Sequence, residues 1–250
     1  MPHRFATCTL KGVETLIDGA AAFGIRLDTS QTDQFRRYHQ AIVEWNSRVN
    51  LTRVVEWEQV QVRHFLDSLS TVTAFPQGPL LSGADVLDVG SGAGLPGLPL
   101  KIAFPALRMT LMEATAKKVE FLAHVVEELS LGGVRVLWGR AEALAHDEAL
   151  REGFDNVLAR AVARLDVLAE LTLPFCRIGG IVVAQKGRVV GREVQEARRA
   201  IELMGGEVED VRELALPASG GEGTLVVLRK VRPTPEEYPR RPGIPRKRPL

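Results

Sequence analysis

From position 13 to 75 the apolar residues recur at helical spacing, as in Phe35, Tyr38, Ile42, Val43 and Trp45, with no sustained alternation of period two. This pattern predicts three or four helices. Asp28 to Ser30 and Thr52 offer side chains for helix starts, while Gly24, Pro76, Gly78 and Pro79 supply stops, so the helices are expected to be short and separately punctuated. A boundary is expected over 77–83. Beyond it, short apolar runs alternate with amphipathic stretches. Strands are predicted at 84–89, 109–112, 134–138, 154–159 and 181–185, with helices such as 117–129 and 165–175 between them. Strand, helix, strand repetition defines a parallel doubly wound sheet that receives ligands at the carboxyl ends of its strands. The last two apolar runs, 208–216 and 224–230, are separated by a glycine-rich segment with no room for a helix and should pair antiparallel.

Composition fits a folded chain: 45% of the 250 residues are hydrophobic and 25% charged. The net charge of +1 advertises no polyanionic partner, but its distribution does. Residues 238–250 carry five basic side chains and no acidic one, whereas the basic and acidic side chains of 1–83 balance. Cys8 and Cys176 are too few for a disulfide scaffold, which points to a reducing compartment and hence the cytoplasm. Neither an export signal nor a run of about 18 apolar residues that could span a membrane is read in the chain. Three units are expected: a helical region at 1–80, an α/β domain at 81–232, and a Pro- and Arg-rich tail at 233–250 that is extended or disordered.

Asp88-Val-Gly-Ser-Gly-Ala-Gly94 falls where the first strand ends, so that Gly90 and Gly92 let the chain turn and let a ligand approach closely. A dinucleotide fingerprint would demand glycine at 95, where the chain has Leu95, which favours a cofactor without a pyrophosphate. Glu113 stands nineteen residues after Gly94, at the end of the second strand, where a carboxylate can accept ribose hydroxyls; the competing reading is a charge at a helix N-terminus. Glu142, just after the third strand, is either the acceptor of an adenine amino group, with Ala141 beside it, or a solvated helix charge. Parallel βα units closed by an antiparallel hairpin resemble class I S-adenosylmethionine-dependent methyltransferases, with a seven-stranded, mostly parallel sheet and here a helical N-terminal extension.

Methyl transfer from a sulfonium needs positioning and fixed dipoles more than it needs any one side chain. The chain lacks the Asn/Asp-Pro-Pro-aromatic motif of exocyclic amine methylation: the fourth strand reads Phe154-Asp-Asn-Val-Leu-Ala-Arg160. Cys176, among Leu173, Pro174, Phe175 and Ile178, reads as a buried structural thiol rather than the nucleophile of pyrimidine methylation. Guanine N7 attacks with its own lone pair and loses no proton, so it fits these absences. Arg140, Arg160 and Lys186 follow the third, fourth and fifth strands and are the candidates for the catalytic rim, each either addressing the base or meeting phosphate or solvent.

Asn50-Leu-Thr52, His64-Phe-Leu-Asp-Ser-Leu69, Leu87-Asp-Val-Gly-Ser-Gly-Ala-Gly-Leu-Pro-Gly-Leu-Pro99, Gly139-Arg-Ala-Glu142, Arg160-Ala161, Lys186-Gly187 and Tyr238-Pro-Arg-Arg-Pro-Gly-Ile-Pro245 together resemble the RsmG (GidB) family of bacterial 16S ribosomal RNA guanine-N7 methyltransferases. The resemblance implies S-adenosylmethionine as cofactor, held by Gly90, Leu95, Glu113, Ala114, Thr115, Ala141, Glu142 and Arg160. It places Arg140 and Lys186 near the target nucleotide, implies a guanosine in the 530 loop of 16S rRNA as substrate, and makes the small ribosomal subunit the partner of a monomer. A small-molecule methyltransferase and a non-catalytic nucleotide sensor are the rival readings. His64 and Asp67 are read as a hydrogen-bonded helix brace in preference to an RNA or interdomain contact, and Asn50-Leu-Thr52 as a turn and helix cap. His39, His124 and His146 have no ligand partners in the pattern, so no metal is assigned. The tail cations Arg240, Arg241, Arg246, Lys247 and Arg248 suit phosphates, with mere solubilisation as the alternative, so that deleting 239–250 should weaken RNA binding and leave cofactor affinity unchanged.

Overall fold

The computed structural model describes residues 12–75, 83–187, 190–217 and 221–250. The expected boundary at 77–83 falls almost wholly outside the described residues. Cys8 and the tip of the predicted hairpin at 218–220 also lie outside them.

The amino-terminal part holds α1 (Glu14–Ala22), α2 (Thr29–Val49) and α3 (Trp57–Val60); α3 runs on through a π-helical turn (Gln61–Leu66) into α4 (Asp67–Leu69) and a 3-10 turn (Ser70–Ala74). Asp28 starts α2 as expected: its side chain accepts from the Gln31 N–H at 2.8 Å and the Gln31 side chain answers from the Asp28 N–H at 2.9 Å. The expectation of uniformly short helices is corrected, because α2 runs 21 residues, unbroken until Asn50 turns left-handed. Thr52 caps no helix. Its hydroxyl accepts from the Val54 N–H at 3.1 Å and pairs with His64 Nε2 at 2.8 Å, a turn alone.

The α/β part runs β1 (Asp85–Val89), α5 (Gly97–Ala103), β2 (Arg108–Glu113), α6 (Ala116–Glu128), β3 (Val134–Trp138), α7 (Ala141–Leu144), β4 (Phe154–Arg160), α8 (Leu165–Thr172), β5 (Cys176–Lys186), α9 (Gly191–Leu203), β6 (Gly206–Ala215) and β7 (Glu222–Lys230). A last turn, α10 (Ile244–Lys247), lies in the tail. The seven strands are ordered 3-2-1-4-5-7-6, with β1 to β5 parallel and β7 antiparallel to both β5 and β6. The chain reverses direction across the sheet between β1 and β4, which opens a crevice at their carboxyl ends.

Two apolar layers sandwich the sheet. On one face the amino-terminal helices share a core with α5 and α6, where Phe35, Tyr38 and Phe65 are fully buried with ring centroids 4.9 and 5.4 Å apart. On the other, α7, α8 and α9 cover Leu87, Val157, Val182 and Val226. Side chains of α2 also take up the orphan carbonyls at the ends of α5 and α6. Gln31 Nε2 donates to Ile102 O at 2.8 Å and Gln34 Nε2 to Leu129 O at 3.0 Å. No described helix is long and apolar enough to cross a membrane.

Candidate active site

The loop after β1 is shaped by glycine where the backbone demands it. Gly90 has φ +72°, and a Cβ there would stand 2.9 Å from Val162; Gly94 has φ +87°, and a Cβ there would stand 2.3 Å from Leu98. The N–H groups of Gly90 and Ser91 both donate to Met112 O, at 2.8 and 3.0 Å, so the loop is bolted to β2. Glu113 at the end of β2 is 7% exposed; its Oε2 accepts from the Gly92 N–H at 3.0 Å and its Oε1 from the Thr115 N–H at 2.8 Å. Each carboxylate oxygen keeps lone-pair capacity beyond these bonds.

A cleft of about 440 Å³ opens at the carboxyl ends of β1 to β4. Gly90, Glu113, Ala114, Thr115, Arg140, Ala141 and Glu142 all line it, so most of the residues singled out from sequence converge on one cavity. Gly92 adjoins it through its bond to Glu113, and buried Leu95 begins the turn toward α5. Arg140 is exposed at its rim, and Glu142, 7% exposed, accepts from the Gly243 N–H at 2.9 Å.

Arg160 and Lys186 lie outside the cleft lining. Arg160 turns to the amino-terminal helices: it pairs with Asp67 at 3.1 Å and donates to Arg63 O at 2.7 Å and His64 O at 3.4 Å. Lys186 donates to Ala163 O at 2.6 Å and pairs with Glu193 at 2.7 Å. Solvated readings for both give way to paired ones. The brace assigned to His64 and Asp67 divides accordingly: His64 holds Thr52, while Asp67 pairs with Arg160 at the end of β4. Burial pushes the His64 imidazole down to about 4, and the nearby Arg160 charge adds to the shift.

Sequence reasoning passed over Asp88, although it opens the glycine motif. It is fully buried beneath the loop, with Oδ2 accepting from the Gly97 N–H at 3.0 Å and Oδ1 unpartnered among the described groups. Burial pushes its carboxyl up to about 7. Tyr38, donating to Ala93 O, steadies the same loop from α2 and has no local signal in the sequence. Cys176 is buried and its thiol is pushed up to about 12 by desolvation, the state of a structural cysteine. Among the described residues no group of three His, Cys, Asp or Glu could hold a metal.

The tail requires correction, being neither extended nor disordered. Arg151 donates to the carbonyls of Thr234 and Tyr238 at 2.8 and 2.9 Å, and His146 bonds Pro239 O at 2.9 Å. Arg240 makes a forked pair with Glu170, whose side chain is 1% exposed, at 2.6 to 3.2 Å. A buried carboxylate demands such a partner, and composition alone does not reveal it.

Strand order, glycine loop and terminal carboxylate of β2 together define a class I S-adenosylmethionine-dependent methyltransferase. The same fold is seen in Aeropyrum pernix fibrillarin in complex with natively bound S-adenosyl-L-methionine, with TM-score 0.51 and 18% identity over 65% of this chain and 72% of that one. More particularly, the chain belongs to the GidB family, rRNA small subunit methyltransferase G, whose model matches residues 31–219. It is 47% identical to the ribosomal RNA small subunit methyltransferase G of Dehalococcoides mccartyi over 94% of this chain and 98% of the relative. Identity to the protein of that name from Alkaliphilus metalliredigens is 43%, over 94% and 97% respectively.

Proposed function

We propose that this protein transfers the methyl group of S-adenosylmethionine to N7 of a guanosine in the 530 loop of 16S rRNA, acting as a cytoplasmic monomer on the small ribosomal subunit or its RNA. The observation that carries the reading is the cleft at the ends of β1 to β4, with Glu113 set against the glycine loop, in a chain of this family. The cofactor fits the residues present. Gly90 and Gly94 let the loop turn tightly against Val162 and Leu98, where a Cβ would collide, so that its backbone lines the cleft, and Glu113 retains acceptor capacity for two ribose hydroxyls. Glu142 and Ala141 form the wall where the adenine would lie.

Bound S-adenosylmethionine supplies an electrophilic methyl on sulfur. The chain's own work is to hold that methyl in line with the base and to exclude water. N7 carries its own lone pair and no proton, so neither a general base nor a covalent nucleophile is required, and the buried, protonated Cys176 is suited to no such role. That Arg140 is exposed and lines the cleft supports a contact of its guanidinium with guanine O6 or a flanking phosphate. Arg160 and Lys186 support the rim from beneath: Arg160 ties β4 to the amino-terminal helices and Lys186 ties β5 to α9. The apolar pocket around Arg140, Arg160 and Lys186 that a small-molecule methyltransferase would favour finds no support, since Arg140 is exposed while Arg160 and Lys186 lie outside the cleft, paired with Asp67 and Glu193.

Tritiated methyl transfer to 16S RNA from a strain lacking this protein, followed by nucleoside analysis, tests the reaction. The label is expected in N7-methylguanosine; label in another nucleoside overturns the assignment, and tight cofactor binding with no transfer at all favours the sensor.

A further inference from the structure

The tail reaches the cofactor cleft itself. After the Arg240–Glu170 pair the chain turns at Gly243, with φ +85°, and its N–H meets Glu142 Oε1 at 2.9 Å. One turn on, Arg246 lines the cleft and donates to Val162 O at 2.9 Å. Val162 is the residue packed against the position where Gly90 lacks a Cβ. Residues 243–246 therefore touch both walls, the α7 carboxylate and the segment after β4 that backs the glycine loop.

The geometry points to the C-terminal tail as a wall of the cofactor cleft, with Gly243 and Arg246 as positioning residues for S-adenosylmethionine. The Gly243 N–H occupies one oxygen of Glu142 and so fixes the carboxylate with its other oxygen free to accept the adenine amino group. Arg246 holds Val162, and through it the floor of the glycine loop. This rests on the assignment of Glu142 to the adenine made above. It replaces the sequence-based expectation that cofactor affinity ignores the tail.

The test is equilibrium binding of S-adenosylhomocysteine to four proteins: the full chain, a chain ending at Arg241, Glu142→Ala, and the two changes combined. The shortened chain keeps the Arg240–Glu170 pair, and its melting curve checks that it is folded. A loss of about tenfold is expected for Glu142→Ala, roughly the effect of one well-placed hydrogen bond, and that loss multiplied by the several-fold Arg246 effect for the shortened chain, which lacks Gly243 and Arg246 together; the combination should bind no worse than the shortened chain, since Gly243 acts through the Glu142 carboxylate. In the cofactor-free full chain, Glu142→Ala should also speed amide exchange at Gly243. Should the shortened chain melt early, Arg246→Ala and the Gly243 exchange rate carry the test. Arg246→Ala is expected to weaken binding several-fold, whereas neutralising the exposed Arg241, Lys247 and Arg248 should leave it unchanged. If Glu142→Ala weakens binding while the shortened chain binds within twofold of the full one, or if the two losses multiply, the inference is overturned. If Glu142→Ala has no effect, the adenine assignment falls and the inference with it.

Discussion

Replacing Glu113 by Gln preserves the side chain's size and removes its charge. In the structure the carboxylate accepts from two backbone N–H groups, Gly92 at 3.0 Å and Thr115 at 2.8 Å, and on our reading it also receives two ribose hydroxyls. An amide has one acceptor oxygen, so its NH2 must face one of those N–H groups. Hydrogen bonds to a charged partner contribute about 1.5–3 kcal/mol, against about 0.5–1.5 for neutral ones. Losing charge assistance on two ribose bonds therefore costs about 2 kcal/mol, or roughly 30-fold in Kd. The backbone N–H left facing a donor costs about 1–3 kcal/mol of stability, and each kcal/mol lowers Tm by about 2–4 °C in a chain of this length. Calorimetric titration with S-adenosylhomocysteine and with its 2′,3′-dideoxy analogue separates the two effects. The variant should lose affinity for the first and match the unmodified protein on the second. A Kd for S-adenosylhomocysteine within threefold of the unmodified protein's, or equal losses for both compounds, would refute the ribose assignment.

Two further outcomes follow from the geometry. His64 is held neutral, its pKa down at about 4 against an unfolded value of 6.5, so the stability it contributes is complete above pH 6.5 and drains away as pH falls toward 4, by about 3 kcal/mol in all. His64→Gln should remove that component, seen as a shallower acid limb in denaturant unfolding, and parallel limbs for the two proteins would contradict it. Arg241, Lys247 and Arg248 of the tail are exposed, and on the proposed function they meet phosphate. Neutralising all three should reduce the salt slope of RNA binding by roughly 2–3, and an unchanged slope would assign RNA binding elsewhere.

The sheet was legible in the sequence because its central strands hold short aliphatic runs, such as Val86-Leu87, Val157-Leu158-Ala159 and Ile181-Val182-Val183-Ala184, between helical stretches. The predicted cores of β1, β3 and β4 match the structure within a residue or so, and β5 extends further back, through Gly180 and Gly179 to Cys176. The glycine loop and Glu113 were legible for a related reason, since their spacing along the chain carries their geometry. What could not be read is what depends on distant partners. Nothing near Arg160 announces Asp67, 93 positions earlier, and nothing in the tail's Pro and Arg content announces Glu170. Asp88 had a local signal, two residues before Gly90, but its burial becomes visible only once α5 lies over it through Gly97. The docked tail is the largest such omission, because a basic, proline-rich segment satisfies a surface role and a strapped one equally well on composition.

The central claim is that the crossover from β1 to β2 holds the adenosyl sugar of the methyl donor against Glu113. Crystals of the protein grown with S-adenosylhomocysteine measure this directly. The account predicts both ribose hydroxyls within hydrogen-bond distance of the Glu113 carboxylate and the adenine between Ala114 and Glu142; a nucleoside bound away from the Gly90–Gly94 loop would contradict it.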